Sequence, residues 1–180
     1  MNEQTIENPL GTEQIGKLIA RFGIPCVISL LVNALYNIVD QIFIGWGVGY
    51  LGNAATNVAF PMVTLALALA LLIGDGCAAN MSLRLGAKDP ENAKRGVGNA
   101  ITMMVIVGIL LLVVGEIFLT PLLSIFGATD KVMPYAQEYT GIILIGLPFV
   151  IVGTGMNTVI RADGSPKYAM VSMLVGAVIH

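Results

Sequence analysis

The sequence of 180 residues is dominated by apolar side chains: 56% of its residues are hydrophobic and only 11% are charged. Soluble domains carry roughly 25% charged residues, so this composition favours a membrane protein over a soluble one. The net charge of −2 argues against a nucleic-acid-binding surface, because such a surface needs clustered basic side chains.

Apolar runs divide the chain into five predicted helices. Four uncharged runs, at 22–39, 58–74, 97–115 and 141–160, approach the ~20 residues that a helix needs to cross the hydrocarbon layer. A fifth run, 168–180, would rise only ~20 Å as a helix, which is too short to span. We therefore predict an all-α membrane protein, a polytopic transmembrane helix bundle, and expect the chain to be part of a longer protein cut inside its fifth helix. The predicted helices lie at roughly 15–46, 54–84, 90–126, 131–161 and 166–180, after an N-terminal segment at 1–14.

Local signals predict some of the helix ends and bends. Asp89 followed by Pro90 is typical of an N-cap with proline at the first helical position, so the third helix should begin there. In the fourth helix, Gly153 and Gly155 follow Pro148. This pattern fits either a bending element or close packing against a neighbouring helix, and the sequence leaves the two open.

Basic side chains predict the orientation of the bundle. Eight of the nine Lys and Arg residues fall on one side of the predicted helices, and only Lys131 lies in a connection on the other side. Because Lys and Arg are retained on the cytoplasmic side, we expect a multi-pass protein of the plasma (inner) membrane with a cytoplasmic N-terminus. Arg161, at the cytoplasmic end of the fourth helix, is expected to snorkel to water or to pair with Asp163.

Asp40 is the most informative residue of the chain, because it is a carboxylate inside an apolar helix with no basic residue near it in sequence. Asn33, Tyr36 and Asn37 share its helix face, since they precede it by seven, four and three residues. Such a face cannot point at lipid, so it should line a cavity or a polar helix interface. A purely structural role, with Asp40 bonded to the amides for helix association, is the alternative.

Several stretches together resemble a known family of transporters. They read NPLGTE at 8–13, IP at 24–25, LYNIVD at 35–40, FIG at 43–45, RLGA at 84–87 and IRADGSPK at 160–167. Across essentially the whole chain they are similar to the start of a bacterial multidrug and toxic compound extrusion (MATE) transporter. The resemblance implies twelve helices in two six-helix lobes, with this chain forming about five helices of the N-terminal lobe.

The resemblance also implies an activity and a site. It implies an antiporter in the lipid bilayer that exports drugs and organic cations by alternating access, driven by H⁺ or Na⁺ and needing no other cofactor. The missing C-terminal lobe of the same polypeptide would complete it. Asp40 would be the cation-responsive or proton-coupling residue, acting with an Asn and an Asp on the fifth helix. His180 stands at or near the position of that Asn, so it joins Asn33, Tyr36 and Asn37 as a predicted cavity-lining residue.

Two other functions remain open at this stage. A lipid-linked oligosaccharide flippase of the same superfamily would need basic residues in its central cavity, and the predicted spans contain almost none. A helical membrane scaffold would use the polar face around Asp40 only for association. An enzyme is not expected, because the sequence shows no nucleophile–base pair, phosphate-binding loop or spacing typical of metal ligands.

Overall fold

The computed structural model describes residues 14–179, without the side chains of residues 21, 22, 29, 33 and 177–179. The predicted segment at 1–14 therefore lies almost entirely outside the described residues. Six helices make up nearly all of the described chain, and no strand occurs in it. They are α1 (Ile15–Gly47), α2 (Tyr50–Gly86), α3 (Pro90–Ile117), α4 (Leu119–Ile125), α5 (Met133–Ala162) and α6 (Pro166–Ile179).

Four of these helices, α1, α2, α3 and α5, are long and apolar enough to cross a membrane, judged by length and composition. Their mean hydropathy over an 18-residue window is between 2.0 and 2.6. The prediction of an all-α, polytopic membrane bundle is thereby confirmed.

The third predicted helix is divided in two. Expected to run unbroken over 90–126, it ends at Ile117, and the short helix α4 follows after Phe118. Phe118 leaves the helical conformation, with φ −105° and ψ 20°. The cause is Pro121, because a proline ring clashes with the carbonyl four residues earlier, here that of Ile117.

The connections follow the local signals closely. Asp89 caps α3: its carboxylate accepts a hydrogen bond from the Asn92 backbone N–H at 3.3 Å and another from the Asn92 side-chain amide at 2.7 Å. Pro90 occupies the first helical position, so the predicted start of this helix is confirmed. Between α1 and α2 the turn is shorter than expected, since α2 begins at Tyr50, directly after Gly49 with its positive φ of 77°.

The core lies between α2, α3 and α5, which pack against one another more extensively than any other helices. Small residues let the backbones approach: a Cβ placed on Gly74 of α2 would lie only 2.7 Å from the Cα of Gly155 on α5. Gly108 of α3 similarly rests against Pro148 of α5. Close packing is therefore the role of Gly155, whereas Gly153 has open space around it. The fully buried side chains between these helices include Ala66, Ala70, Met104, Leu144 and Ile151.

A second, looser unit consists of α1 and α6. Helix α1 packs mainly against α6 and makes few contacts with α2, while α6 also contacts α5. Among the side chains described in α1, only Pro25 is buried. This arrangement leaves most of the apolar surface of α1 uncovered by the described chain.

Candidate functional site

Asp40 lies in the last two turns of α1, about 10 Å before that helix ends at Gly47. Its half-buried carboxylate interacts electrostatically with two phenols, Tyr36 one turn earlier on α1 and Tyr139 on α5. Within the part of the chain that the structure describes, no Lys or Arg forms an ion pair with it. In the described part of the chain, the carboxylate therefore interacts with two phenols and is not paired with a basic side chain.

The polar residues predicted to share a face with Asp40 lie in two different surroundings. Tyr36 and Asp40 interact with Tyr139 of α5, whereas Asn37 lines an open groove between α1 and α2. This groove has a volume of about 740 Å³ and is lined by Asn37, Ile38, Gln41, Ile42, Gly45, Trp46 and Asn53. The side chain of Asn33 and the whole of His180 lie outside the described residues, so their predicted places at the cavity stay predictions.

Short-range polar contacts connect α1 to α2 beside this groove. The Gln41 amide and the Thr56 hydroxyl lie 3.4 Å apart, which is a long hydrogen bond. The Thr56 hydroxyl donates a shorter one, at 2.9 Å, to the Asn53 carbonyl. The Asn53 amide covers Gly45, where a Cβ would lie 3.1 Å from its nitrogen. The C-terminal part of α1 and the N-terminal part of α2 are thus joined by amides and a hydroxyl, with no charged side chain in these contacts.

A second groove lies between the C-terminal end of α1 and the N-terminal parts of α2 and α5. It has a volume of about 340 Å³ and is lined by Ile44, Val48, Gly52, Ala55, Thr56, Tyr135, Glu138, Tyr139 and Ile142. Tyr139 belongs to this lining and also interacts with Asp40. An ion or polar group that enters the groove would therefore meet the phenol that neighbours the carboxylate.

Sequence reasoning missed Tyr139 and Gln41. Gln41 directly follows Asp40, and an amide inside an apolar span is a signal that could have drawn attention to it. Tyr139 carries no such signal, since tyrosine is common near membrane interfaces and nothing local connects it to α1. Its pairing with Asp40 is a product of how α1 and α5 are arranged.

The long apolar helices, together with a carboxylate and amide-lined grooves between them, define a polytopic membrane protein with a polar site inside its helix bundle. The family model described as MatE matches residues 25–180, which is most of the chain. The chain therefore belongs to the MatE family.

Named relatives and solved structures agree with this assignment. The chain is 25% identical to "Probable multidrug resistance protein YoeA" of Bacillus subtilis (strain 168), over 98% of this chain and 39% of that protein. It is 27% identical to "Multidrug export protein MepA" of Staphylococcus aureus (strain MRSA252), over 88% and 35%. Among solved structures, the MATE multidrug transporter DinF-BH superposes with a TM-score of 0.88, at 38% identity, over 98% of this chain and 40% of that one.

The chain matches only part of the length of these relatives. The chain spans about two fifths of the length of the YoeA relative and of the DinF-BH transporter. These relatives carry the names of transporters and resistance proteins rather than of enzymes. The chain is therefore a multi-pass, MATE-type helix bundle that corresponds to part of the length of these transporters.

Proposed function

We propose that the chain is most of the N-terminal lobe of an ion-coupled antiporter that exports drugs and organic cations by alternating access. Membership of the MatE family and relatives named for multidrug resistance and export support this proposal. The observation that carries it is the placement of Asp40, a half-buried carboxylate beside Tyr36 and Tyr139 with no cationic partner among the described residues. The C-terminal lobe of the same polypeptide would complete the translocation pathway.

The coupling step follows from electrostatics. A carboxylate at membrane depth is costly unless its charge is compensated. A proton on an Asp40 oxygen, or Na⁺ bound to it, would remove that cost. The phenols of Tyr36 and Tyr139 can each donate a hydrogen bond to the carboxylate or accept one from its protonated form. The coupling ion can therefore be H⁺ or Na⁺, and its binding would shift the balance between the conformations of the lobe.

Substrate competition is the second part of the mechanism. In transporters built from repeats, the coupling ion and the substrate bind near the interface of the repeats. The two grooves near Asp40 contain no Lys or Arg among their lining residues. A cationic substrate therefore meets amides, phenols and the Glu138 carboxylate there, which suits an organic cation better than the phosphate groups of a lipid-linked oligosaccharide.

The proposed orientation has the N-terminus in the cytoplasm. It is supported by Lys88, Lys94 and Arg161 at the ends of helices on one side, with Lys131 on the other. A membrane-impermeant thiol reagent should label a cysteine introduced at Asn53 in intact cells and leave one introduced at Lys88 unlabelled. Labelling of both positions would contradict this orientation.

The decisive test substitutes Asp40 in the full-length protein. Asp40→Asn removes the charge while it keeps the size and the hydrogen-bonding capacity of the side chain. We expect normal membrane insertion and loss of ion-driven efflux of a fluorescent cationic dye from energised vesicles. Asp75→Asn is the matched control, since Asp75 is also a carboxylate within an apolar span but is exposed on α2. Efflux at the wild-type rate by Asp40→Asn would show that Asp40 has only a structural role.

A further inference from the structure

Arg161, the penultimate residue of α5, joins three helices through one guanidinium group. Its Nε donates a hydrogen bond to the Asn157 Oδ1 one turn earlier on α5, at 2.9 Å. One terminal nitrogen donates to the Cys26 Sγ on α1 at 3.0 Å, and the other donates to the Met173 Sδ on α6 at 3.4 Å. The planar fork of arginine can serve three such directions at once, which a lysine ammonium on a flexible stem cannot hold in the same fixed geometry.

Asn157 extends this connection to α6. Its side-chain nitrogen donates to the Ala169 carbonyl at 3.1 Å and lies 3.3 Å from the Ser172 hydroxyl. Its oxygen accepts the bond from Arg161 at the same time, so both ends of the amide are used. Arg161 and Asn157 therefore act as one unit, with α5 at its centre and the loosely packed pair α1 and α6 at its ends.

The environment of Arg161 differs from the sequence expectation. It is half-buried, and within the described part of the chain it pairs neither with Asp163 nor with any other carboxylate. Asp163 is exposed and lines a separate groove with Lys94. A guanidinium that only snorkelled to the membrane surface would have no need of acceptors on two other helices.

We propose that Arg161 is a positioning residue for the ion site, because it sets where α1 and α6 lie against α5. This inference rests on the proposed function. Helices α1 and α5 have little close backbone contact, so long side chains connect them. Among the described residues, Arg161 of α5 reaches Cys26, and Tyr139 of α5 interacts with Asp40. Cys26 and Asp40 are about 21 Å apart along α1, so a shift of α1 at Cys26 is carried along the helix to the carboxylate.

The test compares Arg161→Lys with the wild type in the full-length protein. Lysine keeps the positive charge at the cytoplasmic end of α5 but not the fork that reaches Cys26 and Met173. Arg95→Lys is the matched control, because Arg95 is exposed and, among the described residues, bonds to Glu91 of its own helix, at 3.0 Å. The first readout is the rate at which a membrane-permeant maleimide labels Cys26, in a background without other cysteines. The second is the KM and the maximal rate of dye efflux.

We expect Arg161→Lys to insert normally and Cys26 to label about tenfold faster, the factor that corresponds to losing one hydrogen bond to a charged group. The maximal rate of efflux should fall with little change in KM, and Arg95→Lys should match the wild type in both readouts. Labelling at the wild-type rate in Arg161→Lys would show that only the charge of Arg161 matters and would overturn the proposal. Faster labelling with unchanged efflux would remove its connection to the ion site.

A second set of variants tests the same contact from α1. Cys26→Ser keeps an acceptor for the guanidinium, whereas Cys26→Ala removes it. Cys26→Ser should transport like the wild type, and Cys26→Ala should lose maximal rate as Arg161→Lys does. The double variant of Cys26→Ala with Arg161→Lys should be no worse than either alone, because both remove one interaction. A double variant whose loss of maximal rate equals the sum of the two single losses would contradict a contact between Arg161 and Cys26. The labelling of Cys26 does not depend on transport, so it tests the contact with Arg161 by itself. A wild-type protein that shows no efflux would contradict the proposed function but not this contact.

Discussion

Two regions of the molecule differ in how tightly their helices pack: the core of α2, α3 and α5 is close-packed, and the pair of α1 and α6 is loose. In the core, alanines and glycines bring backbones together, and side chains such as Met104 and Ile151 are completely buried. In the pair, α1 buries only Pro25 among its described side chains, and its polar contact with α2 between Gln41 and Thr56 is long. The carboxylate on which the proposed function depends stands on the loosely held helix.

This difference in packing distinguishes a stable frame from a helix pair that can move more easily. Regions with few buried apolar contacts open at lower free energy than packed cores, and functional motions use such regions. A lobe that responds to ion binding needs a stable frame and a helix that can shift against it. Here α5 belongs to the frame, and two of its side chains, Tyr139 and Arg161, interact with α1.

The largest effect on the frame is expected from Gly74→Ala. The added Cβ would lie 2.7 Å from the Cα and the carbonyl oxygen of Gly155, which are backbone atoms, so α2 and α5 must separate. Overpacking of this kind costs about 1–3 kcal/mol, more than the gain in helix propensity on replacing glycine. Thermal unfolding of the full-length protein in detergent should therefore show a clear drop in midpoint temperature.

Gly76→Ala is the matched control for this substitution, since it lies two residues away and has no atom within 4 Å of an added Cβ. It should unfold at or above the wild-type temperature. Equal midpoints for Gly74→Ala and Gly76→Ala would mean that the close contact between α2 and α5 does not hold the frame together.

An intermediate effect is expected at the contact between the two regions, from Tyr139→Phe. The substitution removes the hydroxyl that interacts electrostatically with Asp40 and keeps the aromatic ring. Efflux should fall by about tenfold, which corresponds to roughly 1.4 kcal/mol of lost interaction with the carboxylate, while thermal stability stays near that of the wild type. Tyr135→Phe is the control, because Tyr135 lines the same groove one turn earlier on α5. The same loss in both variants would show that Tyr139 acts through the groove alone.

The smallest effect is expected at the cap of α3, outside the membrane-spanning segments. Hydrogen bonds from the Asn92 side chain and backbone, and the nearby Arg84, lower the pKa of Asp89 from its usual value of 3.8. A lowered pKa in the folded state contributes stability above the unfolded value, and that contribution is lost as the pH falls through the folded pKa. The window of change therefore lies below about pH 4.

Asp89→Asn tests this pH dependence, because asparagine is also a good N-cap but does not titrate. The wild type should lose a little stability relative to Asp89→Asn as the pH is lowered from about 6 to about 3.5, a range that reaches into the window. Unfolding midpoints of the full-length protein at both pH values measure it. A constant difference between wild type and variant across this range would rule out titration of the cap.

The sequence alone determined the features that depend on neighbours along the chain. Apolar runs of membrane length predicted four long helices, and Asp89 with Pro90 predicted where α3 begins, because capping and hydropathy are local properties. Asp40 stood out for the same reason, as an isolated carboxylate in an apolar helix. The break at Ile117 was also encoded locally, in Pro121, but the continuous apolar run concealed it.

Only the tertiary structure decided which residues meet across helices. Nothing near Tyr139 in sequence indicates that it faces Asp40, and nothing near Gly74 indicates that its partner is Gly155. Arg161 shows the limit most clearly, since its local sequence favours water or Asp163, yet its guanidinium lies between Cys26 and Met173. Contacts between distant segments depend on how helices cross, and crossing is set by the shapes of the packed surfaces rather than by the order of residues along the chain.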